Sequence, residues 1–291
     1  MIKKICFWLK NSRLFSLPMT LLSWLVVFVY SLKFGGNVLN GLIALVGISF
    51  AHLATNLFDD YVDYKNLPEN SQKCKCAYIK DGSATIQDVL RVVLIYLMIA
   101  TGMGLILFVR CGFPVVVLAL IGGLITLLYA QLSRKGFSEL SVGTTFGPLL
   151  FEGVYFVMTG NFSKIVFVMS IAVVMFTIGL MYVHTVLDFE GDLNSHKMTL
   201  VCRLGSKKNA INGVLVLYGI AYLATILLAF MLKNYYILLT FLLIPLVFKL
   251  YNSLKTYTCG GDVNDFYYRL LQARNLMVFY SAILVLCLII K

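Results

Sequence analysis

The stretch NVLNGLIALVGISFAHLATNLF, residues 37–58, decides the fold class, because its 22 positions contain no Asp, Glu, Lys or Arg. A helix needs about 20 apolar residues to cross a hydrocarbon layer of about 30 Å. The polar stretch DDYVDYK, residues 59–65, follows directly. We therefore predict a transmembrane helix with a group of acids at its end.

The composition extends this prediction to the whole chain. Apolar residues make up 60% of the 291 residues, charged residues make up 13%, and the mean hydropathy is +0.89. A soluble domain would carry about 25% charged residues, so the composition excludes a soluble enzyme and also a disordered, collagen-like or coiled-coil chain. The prediction is an all-α integral membrane protein with nine transmembrane helices. Their approximate ranges are 14–34, 37–58, 86–109, 113–132, 140–158, 163–187, 209–232, 234–251 and 273–290.

The charge pattern predicts the orientation. In a soluble protein the net charge of +11 would suggest nucleic acid, but here the positive-inside rule explains it, and we expect no nucleic-acid partner. With the N-terminus inside, the loops place 19 Lys and Arg residues on the inner side and 5 on the outer side. We therefore expect residues 1–291 to form one domain in the cell membrane, with a cytoplasmic N-terminus. We expect the functional site on the cytoplasmic face, at the long inner loops of about 59–85 and 188–208.

Six of the 13 acids lie in two short runs, each directly after an apolar helix. If the second helix continues through the first run, Asn56, Asp60 and Asp63 fall at i, i+4 and i+7 on one face. Asp188 and Asp192 in the second run are also four residues apart. Carboxylates at this spacing repel one another unless a cation lies between them.

Oxygen ligands without a His or Cys pattern favour Mg²⁺, which binds one or two carboxylates together with substrate phosphates. Two such clusters facing each other could hold metal ions and a diphosphate between them. The candidate metal ligands are Asn56, Asp59, Asp60, Asp63, Asp188 and Asp192, and the candidate catalytic residues among them are Asp60, Asp63, Asp188 and Asp192. The alternative is that these acids are solvated helix ends, although the helix macrodipole disfavours acids there.

Basic residues near both runs are candidate contacts for the diphosphate. They are Arg13, Lys65, Arg134 and Lys197. The positive-inside rule accounts for most basic residues on this side. Next to carboxylates, some of them could bind the phosphate oxygens that the metal does not.

The sequence resembles the UbiA superfamily of intramembrane prenyltransferases, most closely its 1,4-dihydroxy-2-naphthoate polyprenyltransferase branch. TNLFDDYVDYKN (residues 55–66) resembles the first Asp-rich motif of the family, and LDFEGDLNSHKMTLVCRLG (187–205) resembles the second. SELSVGTTFGPLLFEGVYFVMTG (138–160) resembles a segment of that branch. Arg13 with Pro18 resembles the signature before the first helix.

The resemblance implies a helical bundle around a central cavity, with Mg²⁺ and a polyprenyl diphosphate at its inner mouth and the prenyl tail among the helices. It implies Mg²⁺-dependent transfer of the polyprenyl group to an aromatic acceptor, as in menaquinone biosynthesis. The sequence departs from this pattern at Asp59, where the family usually has Asn, and at residues 184–187, which read HTVL where the branch often has Asn-Asn-x-Arg.

Three further residues are candidates for substrate binding. Tyr129, near the inner end of the fourth span, could face an allylic cation with its ring. Glu152 falls within the fifth span, where an ionisable group is a functional candidate. It could orient or deprotonate an acceptor, or it could be neutral and hydrogen-bonded. His184 could act as a general base, bond to Asp188, or be a packed polar residue.

Two other functions remain open. A UbiA-type enzyme could cyclise the prenyl chain without an aromatic acceptor. Residues 184–187 are compatible with this alternative, because they differ from the pattern of the branch that prenylates an aromatic acceptor. A transporter would also have many spans and membrane-embedded carboxylates. The acids of this chain, however, are expected mostly at one face of the membrane rather than at its midplane.

Overall fold

The computed structural model describes residues 2–66, 76–194, 198–257 and 263–290, apart from the side chains of Ile2, Lys3, Arg134 and Val263. This part of the chain is helical, contains no strand, and has nine segments that are long and apolar enough to cross a membrane. The all-α membrane fold is therefore confirmed. The segments are Leu14–Leu32, Val38–Asn66, Ile86–Cys111, Pro114–Ser133, Ser138–Thr159, Lys164–Leu187, Lys207–Leu232, Tyr235–Lys255 and Asn264–Ile290.

The helices are numbered here in chain order. They are α1 (Ile2–Asn11), α2 (Pro18–Leu32), α3 (Val38–Asn66), α4 (Ala77–Lys80), α5 (Ile86–Cys111), α6 (Pro114–Arg134), α7 (Ser138–Thr144), α8 (Leu150–Thr159), α9 (Lys164–Leu187), α10 (Phe189–Asn194), α11 (Leu200–Arg203), α12 (Lys207–Leu232), α13 (Ile244–Lys255) and α14 (Val263–Ile290). Two 3₁₀ turns, Leu14–Ser16 and Tyr235–Leu243, precede α2 and α13, and a π turn, Thr145–Leu149, joins α7 to α8.

Helix α3 continues through the first acidic run and ends at Asn66. Its 29 residues give a length of about 44 Å at 1.5 Å per residue, which exceeds the hydrocarbon thickness of about 30 Å. The acids therefore lie on a helical extension beyond the apolar stretch, and the i, i+4 spacing expected for them applies. The last span also begins earlier than predicted, at residue 264 instead of 273.

By its internal contacts the chain divides into two compact units, and unit 1 comprises residues 1–21 and 37–131. Within unit 1, α3 packs mainly against α5. The rings of Phe7 and Trp8 on α1 meet Tyr78 of α4 edge-on, with centroids 6.1 and 6.3 Å away. These contacts join α1 and α4 to one core. Its buried residues are Leu53, Ala54, Leu57, Cys76, Tyr78, Ile79, Ala84, Val89, Val93 and Tyr96.

Unit 2 comprises residues 22–36 and 132–291 and is organised around α9. Helices α12 and α14 both pack along α9, and 15 of its 24 residues are buried. A helix that is apolar on all sides is typical of such a central position. The second acidic run begins where this helix ends, so its first acid is attached to the best-enclosed element of the unit.

Two tyrosine–glycine contacts join α9 to α12. Tyr182 of α9 covers Gly213 of α12, and its hydroxyl donates to the carbonyl oxygen of Ala210 at 2.8 Å. Tyr218 of α12 covers Gly179 of α9, where a Cβ would lie 2.9 Å from the tyrosine hydroxyl oxygen. Each contact needs a glycine, because any side chain would meet the facing phenol.

The fifth span is interrupted by the π turn between α7 and α8. Gly147 has non-helical angles there (φ −95°, ψ −114°), and Pro148 supplies no N–H for a helical hydrogen bond. A Cβ on Gly143 would lie 3.0 Å from Ile178, and one on Gly147 would lie 3.0 Å from Val174. The span therefore runs antiparallel to α9 and in close contact with it.

Candidate active site

One face of α3 holds the corner between α1 and α2. The two ring nitrogens of His52 hydrogen-bond to the hydroxyls of Ser16 (3.1 Å) and Thr20 (2.8 Å). One turn later, the Nδ2 of Asn56 donates to the carbonyl oxygen of Ser12 (3.0 Å) and to the hydroxyl of Ser16 (3.1 Å). Because these residues lie four apart on α3, they fix the corner just beside the acidic run.

Arg13 lies at this corner and contacts two acids of the first motif. Its Nη2 donates to Oδ1 of Asp60 at 2.5 Å, and its Nη1 lies 3.5 Å from Oδ2 of Asp59. Asp60 is 1% exposed and Asp59 is 14% exposed. Burial alone would lower the pKa of Arg13, but the carboxylates of Asp60 and Asp59 outweigh it and raise the pKa above its ordinary value. Arg13 therefore carries a positive charge beside both acids.

Tyr78 holds the other oxygen of Asp60. Its hydroxyl donates to Oδ2 at 3.2 Å, and the thiol of Cys76 donates to the backbone carbonyl oxygen of the same residue at 3.4 Å. Burial and the Asp60 carboxylate raise the pKa of Tyr78 above its ordinary value, so the phenol remains a donor. Sequence reasoning missed Tyr78 and Cys76, because neither lies in an acidic run or at helical spacing from one.

Unit 1 contains three further candidate site residues, Asp63, Lys65 and Tyr129. Asp63 is buried, with 5% exposure. Lys65 is exposed, and its Nζ donates to the hydroxyl of Tyr61 at 2.6 Å. Tyr129 is half-buried and close enough to Arg13 to act on it electrostatically. Unit 1 thus brings Arg13 together with Asn56, Asp59, Asp60 and Tyr129, while Lys65 bonds to its own helix.

The second motif lies at the end of α9. Asp188 caps this helix, and the backbone N–H of Asp192 donates to the carbonyl oxygen of Asp188 at 2.8 Å, which starts α10. Nδ1 of His184 lies 3.4 Å from Oδ2 of Asp188, and both side chains are about half exposed. Nζ of Lys207 lies 3.9 Å from Oε1 of Glu190. The unit therefore brings His184, Asp188 and Asp192 to one end of α9.

The later part of the second motif, from Met198 to Arg203, is held by the loop that follows α6. A Cβ on Gly136, whose φ is +77°, would lie 2.5 Å from the carbonyl oxygen of Met198, so only glycine fits there. Nη2 of Arg203 donates to the carbonyl oxygen of Lys135 at 2.7 Å, and its guanidinium lies 5.7 Å from the ring centre of Phe137. These contacts hold the chain at Met198 and Arg203, shortly before α12 begins.

Glu152 lies at the opposite end of α9 from Asp188. Its Oε2 accepts a hydrogen bond from the backbone N–H of Ser163 at 3.1 Å, the residue that precedes α9. Asp188 comes 25 positions after Ser163, a separation of about 37 Å along a helix. The structure therefore does not bring Glu152 to the second motif, and the observed contact stabilises the start of α9.

A second glutamate, Glu139 in the first turn of α7, was not among the candidates. It is 5% exposed, and Oε2 accepts from the hydroxyl of Ser138 at 2.7 Å. Within the described part of the chain, Oε1 has no hydrogen-bond partner. Glu139 acts electrostatically on Tyr182, six residues before Asp188, and so lies towards the end of α9 that carries the second motif.

Two predicted diphosphate contacts cannot be placed. Lys197 and the side chain of Arg134 lie outside the described residues. Among the residues that are described, no three His, Cys, Asp or Glu side chains form a metal-binding group. Asp59 and Asp60, which lie next to each other, share the guanidinium of Arg13 instead.

A family model described as the UbiA prenyltransferase family matches residues 16–271, which is most of the chain. The chain belongs to this family. A curated relative, UbiA prenyltransferase domain-containing protein 1 of Dictyostelium discoideum, is 24% identical over 224 residues, which cover 73% of this chain and 67% of that protein. The sequence resemblance to the UbiA superfamily is thereby confirmed.

Solved structures show the UbiA fold over almost the whole chain. A structure of digeranylgeranylglyceryl phosphate synthase matches with a TM-score of 0.69 and 15% identity, covering 99% of this chain and 100% of that one. A UbiA homologue from Archaeoglobus fulgidus bound to DMAPP and Mg²⁺ matches with a TM-score of 0.68 and 12% identity, covering 98% and 99%. The same homologue bound to GPP and Mg²⁺ gives 0.64 and 12%, covering 95% and 99%.

Proposed function

We propose that this protein is a Mg²⁺-dependent prenyltransferase that moves a polyprenyl group from its diphosphate to an aromatic acceptor. The observation that carries the proposal is the placement of the two acidic motifs of a UbiA family member at the ends of α3 and α9. The Archaeoglobus fulgidus homologue, bound to DMAPP or GPP with Mg²⁺, supports the substrate class and the metal.

The donor set fits Mg²⁺, because the motifs supply carboxylate and amide oxygens rather than sulfur or paired imidazoles. When bound, Mg²⁺ neutralises the charge that develops on a leaving diphosphate. The residues that would hold it are Asn56, Asp59, Asp60, Asp63, Asp188 and Asp192.

Basic side chains would bind the diphosphate, and an aromatic side chain would stabilise the allylic cation. Arg13 is charged and lies beside the first motif, so its guanidinium can bind diphosphate oxygens. Lys65, Arg134 and Lys197 are proposed as further diphosphate contacts. Tyr129 lies near Arg13 and could stabilise the allylic cation with its ring. The membrane environment keeps water from this cation until the acceptor attacks.

The acceptor and the cellular setting are parts of the same proposal. The segment at residues 138–160 resembles the 1,4-dihydroxy-2-naphthoate branch, which supports a naphthoate acceptor and a role in menaquinone biosynthesis. The charge asymmetry of the loops supports an active site on the cytoplasmic side of the cell membrane. We further propose that residues 1–291 work as one catalytic domain, capped by the loops at about 59–85 and 188–208.

Product analysis tests this function. Purified protein in nanodiscs is given farnesyl, geranylgeranyl or longer prenyl diphosphates, with and without 1,4-dihydroxy-2-naphthoate and with and without Mg²⁺. We expect pyrophosphate release and a prenylated naphthoate by mass spectrometry only when Mg²⁺ is present. The absence of any prenylated product across these substrates, with folded protein, would overturn the proposal.

A second candidate is cyclisation of the prenyl chain without an acceptor. It is favoured by residues 184–187, because Thr185, Val186 and Leu187 are buried and only His184 is exposed. The stretch thus offers few polar groups to an aromatic acid. A cyclic hydrocarbon or alcohol formed in the reactions that lack naphthoate would support this candidate over aromatic prenylation.

A further inference from the structure

We propose that Arg13 is a built-in counter-cation, which holds Asp60 and Asp59 in the metal-free protein and leaves Asp60 when Mg²⁺ binds. The inference rests on the proposed function, in which Asp60 is a metal ligand. It adds that metal and guanidinium compete for the same carboxylate oxygen.

The contacts of Arg13 are those of a substitute for a metal ion. One guanidinium reaches two neighbouring carboxylates, at 2.5 Å to Asp60 and 3.5 Å to Asp59. Asp60 is 1% exposed, and a carboxylate that is so deeply buried requires a cation nearby. Like charges on adjacent residues add to this requirement. The guanidinium of Arg13 supplies this cation.

The backbone at Arg13 is fixed by hydrogen bonds, whereas its side chain is partly exposed. Arg13 has φ +58° and ψ +49°, the left-handed backbone conformation that residues other than Gly and Asn rarely adopt. Its carbonyl oxygen accepts from both the N–H and the hydroxyl of Ser16, each at 2.8 Å. Asn56 secures the preceding residue. The side chain is 32% exposed, so a change of rotamer can withdraw the guanidinium without unfolding the corner.

Tyr78 keeps the carboxylate in place when Arg13 leaves. It binds Oδ2 of Asp60, whereas Arg13 binds Oδ1, so the two donors do not exchange positions. The ring of Tyr78 is 8% exposed and meets Phe7 and Trp8 edge-on. Tyr78 is therefore a positioning residue for Asp60, of the kind that orients metal-binding carboxylates in other sites.

The consequence is that the binding of Mg²⁺ and the binding of the diphosphate each affect the affinity for the other. A guanidinium bound to Asp60 opposes metal binding, and a guanidinium released from Asp60 can bind the diphosphate. Diphosphate should therefore strengthen Mg²⁺ binding by drawing Arg13 away, and Mg²⁺ should strengthen diphosphate binding to the same extent.

The test measures Mg²⁺ binding to the full protein in nanodiscs, without prenyl substrate, through the rise in unfolding temperature as Mg²⁺ is added. The Mg²⁺ midpoint is the concentration that gives half of this rise. We expect Arg13→Gln to unfold at a lower temperature than wild type without Mg²⁺, and to gain more from added Mg²⁺ than wild type does. The Mg²⁺ midpoint should fall on the order of tenfold, because a competing charge is gone. Tyr78→Phe should shift the midpoint the opposite way, to higher Mg²⁺.

Arg91→Gln is the matched control. Arg91 pairs with Asp88 on the surface of the same unit, at 3.1 Å, with side chains 71% and 38% exposed. An exposed pair of this kind contributes little to stability, so its loss should leave the Mg²⁺ midpoint unchanged. A shift in Arg91→Gln equal to that in Arg13→Gln would mean that any lost positive charge strengthens metal binding, and would overturn the proposal.

A Mg²⁺ midpoint in Arg13→Gln equal to or above the wild-type value would also overturn it. If Arg13→Gln does not fold, Arg13→Lys can be used, because it retains the charge but cannot contact both carboxylates as the guanidinium does. The Mg²⁺ midpoint of Arg13→Lys should lie below that of wild type. An unchanged midpoint in Arg13→Lys would count against the proposal. These binding data are independent of product formation, so a failure here is distinct from a failure of the proposed prenyl transfer.

Discussion

The side-chain amide of Asn56 donates a hydrogen bond to the backbone carbonyl oxygen of Ser12 over 3.0 Å. This bond connects the acidic end of α3 to the residue that precedes Arg13. We expect Asn56→Leu to lower the free energy of unfolding by about 1–3 kcal/mol, because it leaves a buried carbonyl oxygen without its donor. Chemical denaturation in nanodiscs measures this loss.

Asn66→Leu is the matched control for this prediction. The Nδ2 of Asn66 also donates to a backbone oxygen of α3, that of Val62, but it is exposed. Water replaces such a bond, so the variant should unfold like wild type. Equal losses in Asn56→Leu and Asn66→Leu would show that the corner contributes no special stability.

The acids of both motifs should be needed for diphosphate release. We expect Asp60→Ala and Asp188→Ala each to abolish Mg²⁺-dependent release of pyrophosphate while the protein still inserts into the membrane. The reason is that each removes a proposed oxygen ligand of the metal. A coupled pyrophosphate assay, with membrane extraction to confirm insertion, measures the effect.

Glu190→Gln is the control within the second motif. Glu190 is 58% exposed and lies 3.9 Å from Lys207, so its charge contributes little. Pyrophosphate release should stay near the wild-type rate. Retained turnover in both Asp variants would remove these acids from the catalytic assignment.

Glu152 can be tested by a conservative and a non-conservative change. Glu152→Gln keeps an oxygen that can accept from Ser163, so its unfolding temperature should match that of wild type. Glu152→Leu removes the acceptor and should lower the free energy of unfolding by about 1 kcal/mol, as for other lost helix caps. Stable Glu152→Gln protein that no longer prenylates would instead support the predicted role in acceptor binding.

The contact between Tyr182 and Gly213 predicts a steric effect. Gly213→Ala should lower the free energy of unfolding by at least about 1–3 kcal/mol, because the new methyl group overlaps the tyrosine hydroxyl in a packed interface. Gly219→Ala lies in the same helix, where an added Cβ meets no atom within 4 Å. It should therefore leave the free energy of unfolding unchanged or slightly raised. Similar behaviour of the two variants in thermal unfolding would contradict the close contact.

The fold could be predicted because its determinants are local. Spans follow from runs of apolar residues, and all nine predicted spans were confirmed among the described residues. The helical spacing of the first motif could also be anticipated, since Asp60 and Asp63 continue the helix that contains Asn56. The contact of His184 with Asp188 was one of three interpretations that four-residue spacing allowed.

The partners of Asp60 could not be predicted in the same way. Arg13 is 47 residues away, and its contact depends on a left-handed corner that no glycine or asparagine signals. Tyr78 comes from a short helix in a polar loop and reaches Asp60 through tertiary packing alone. Glu139 was overlooked because its burial results from the close packing of α7 on α9, which hydropathy does not reveal.

The paired tyrosine–glycine contacts between α9 and α12 also restrict how this protein can move. Sliding one helix past the other by a turn, about 5.4 Å, would drive both phenol rings into neighbouring side chains instead of glycine gaps. Shear between these two helices is therefore blocked at two points on opposite partners. The end of α9 that carries Asp188 is therefore held at a fixed height along α12.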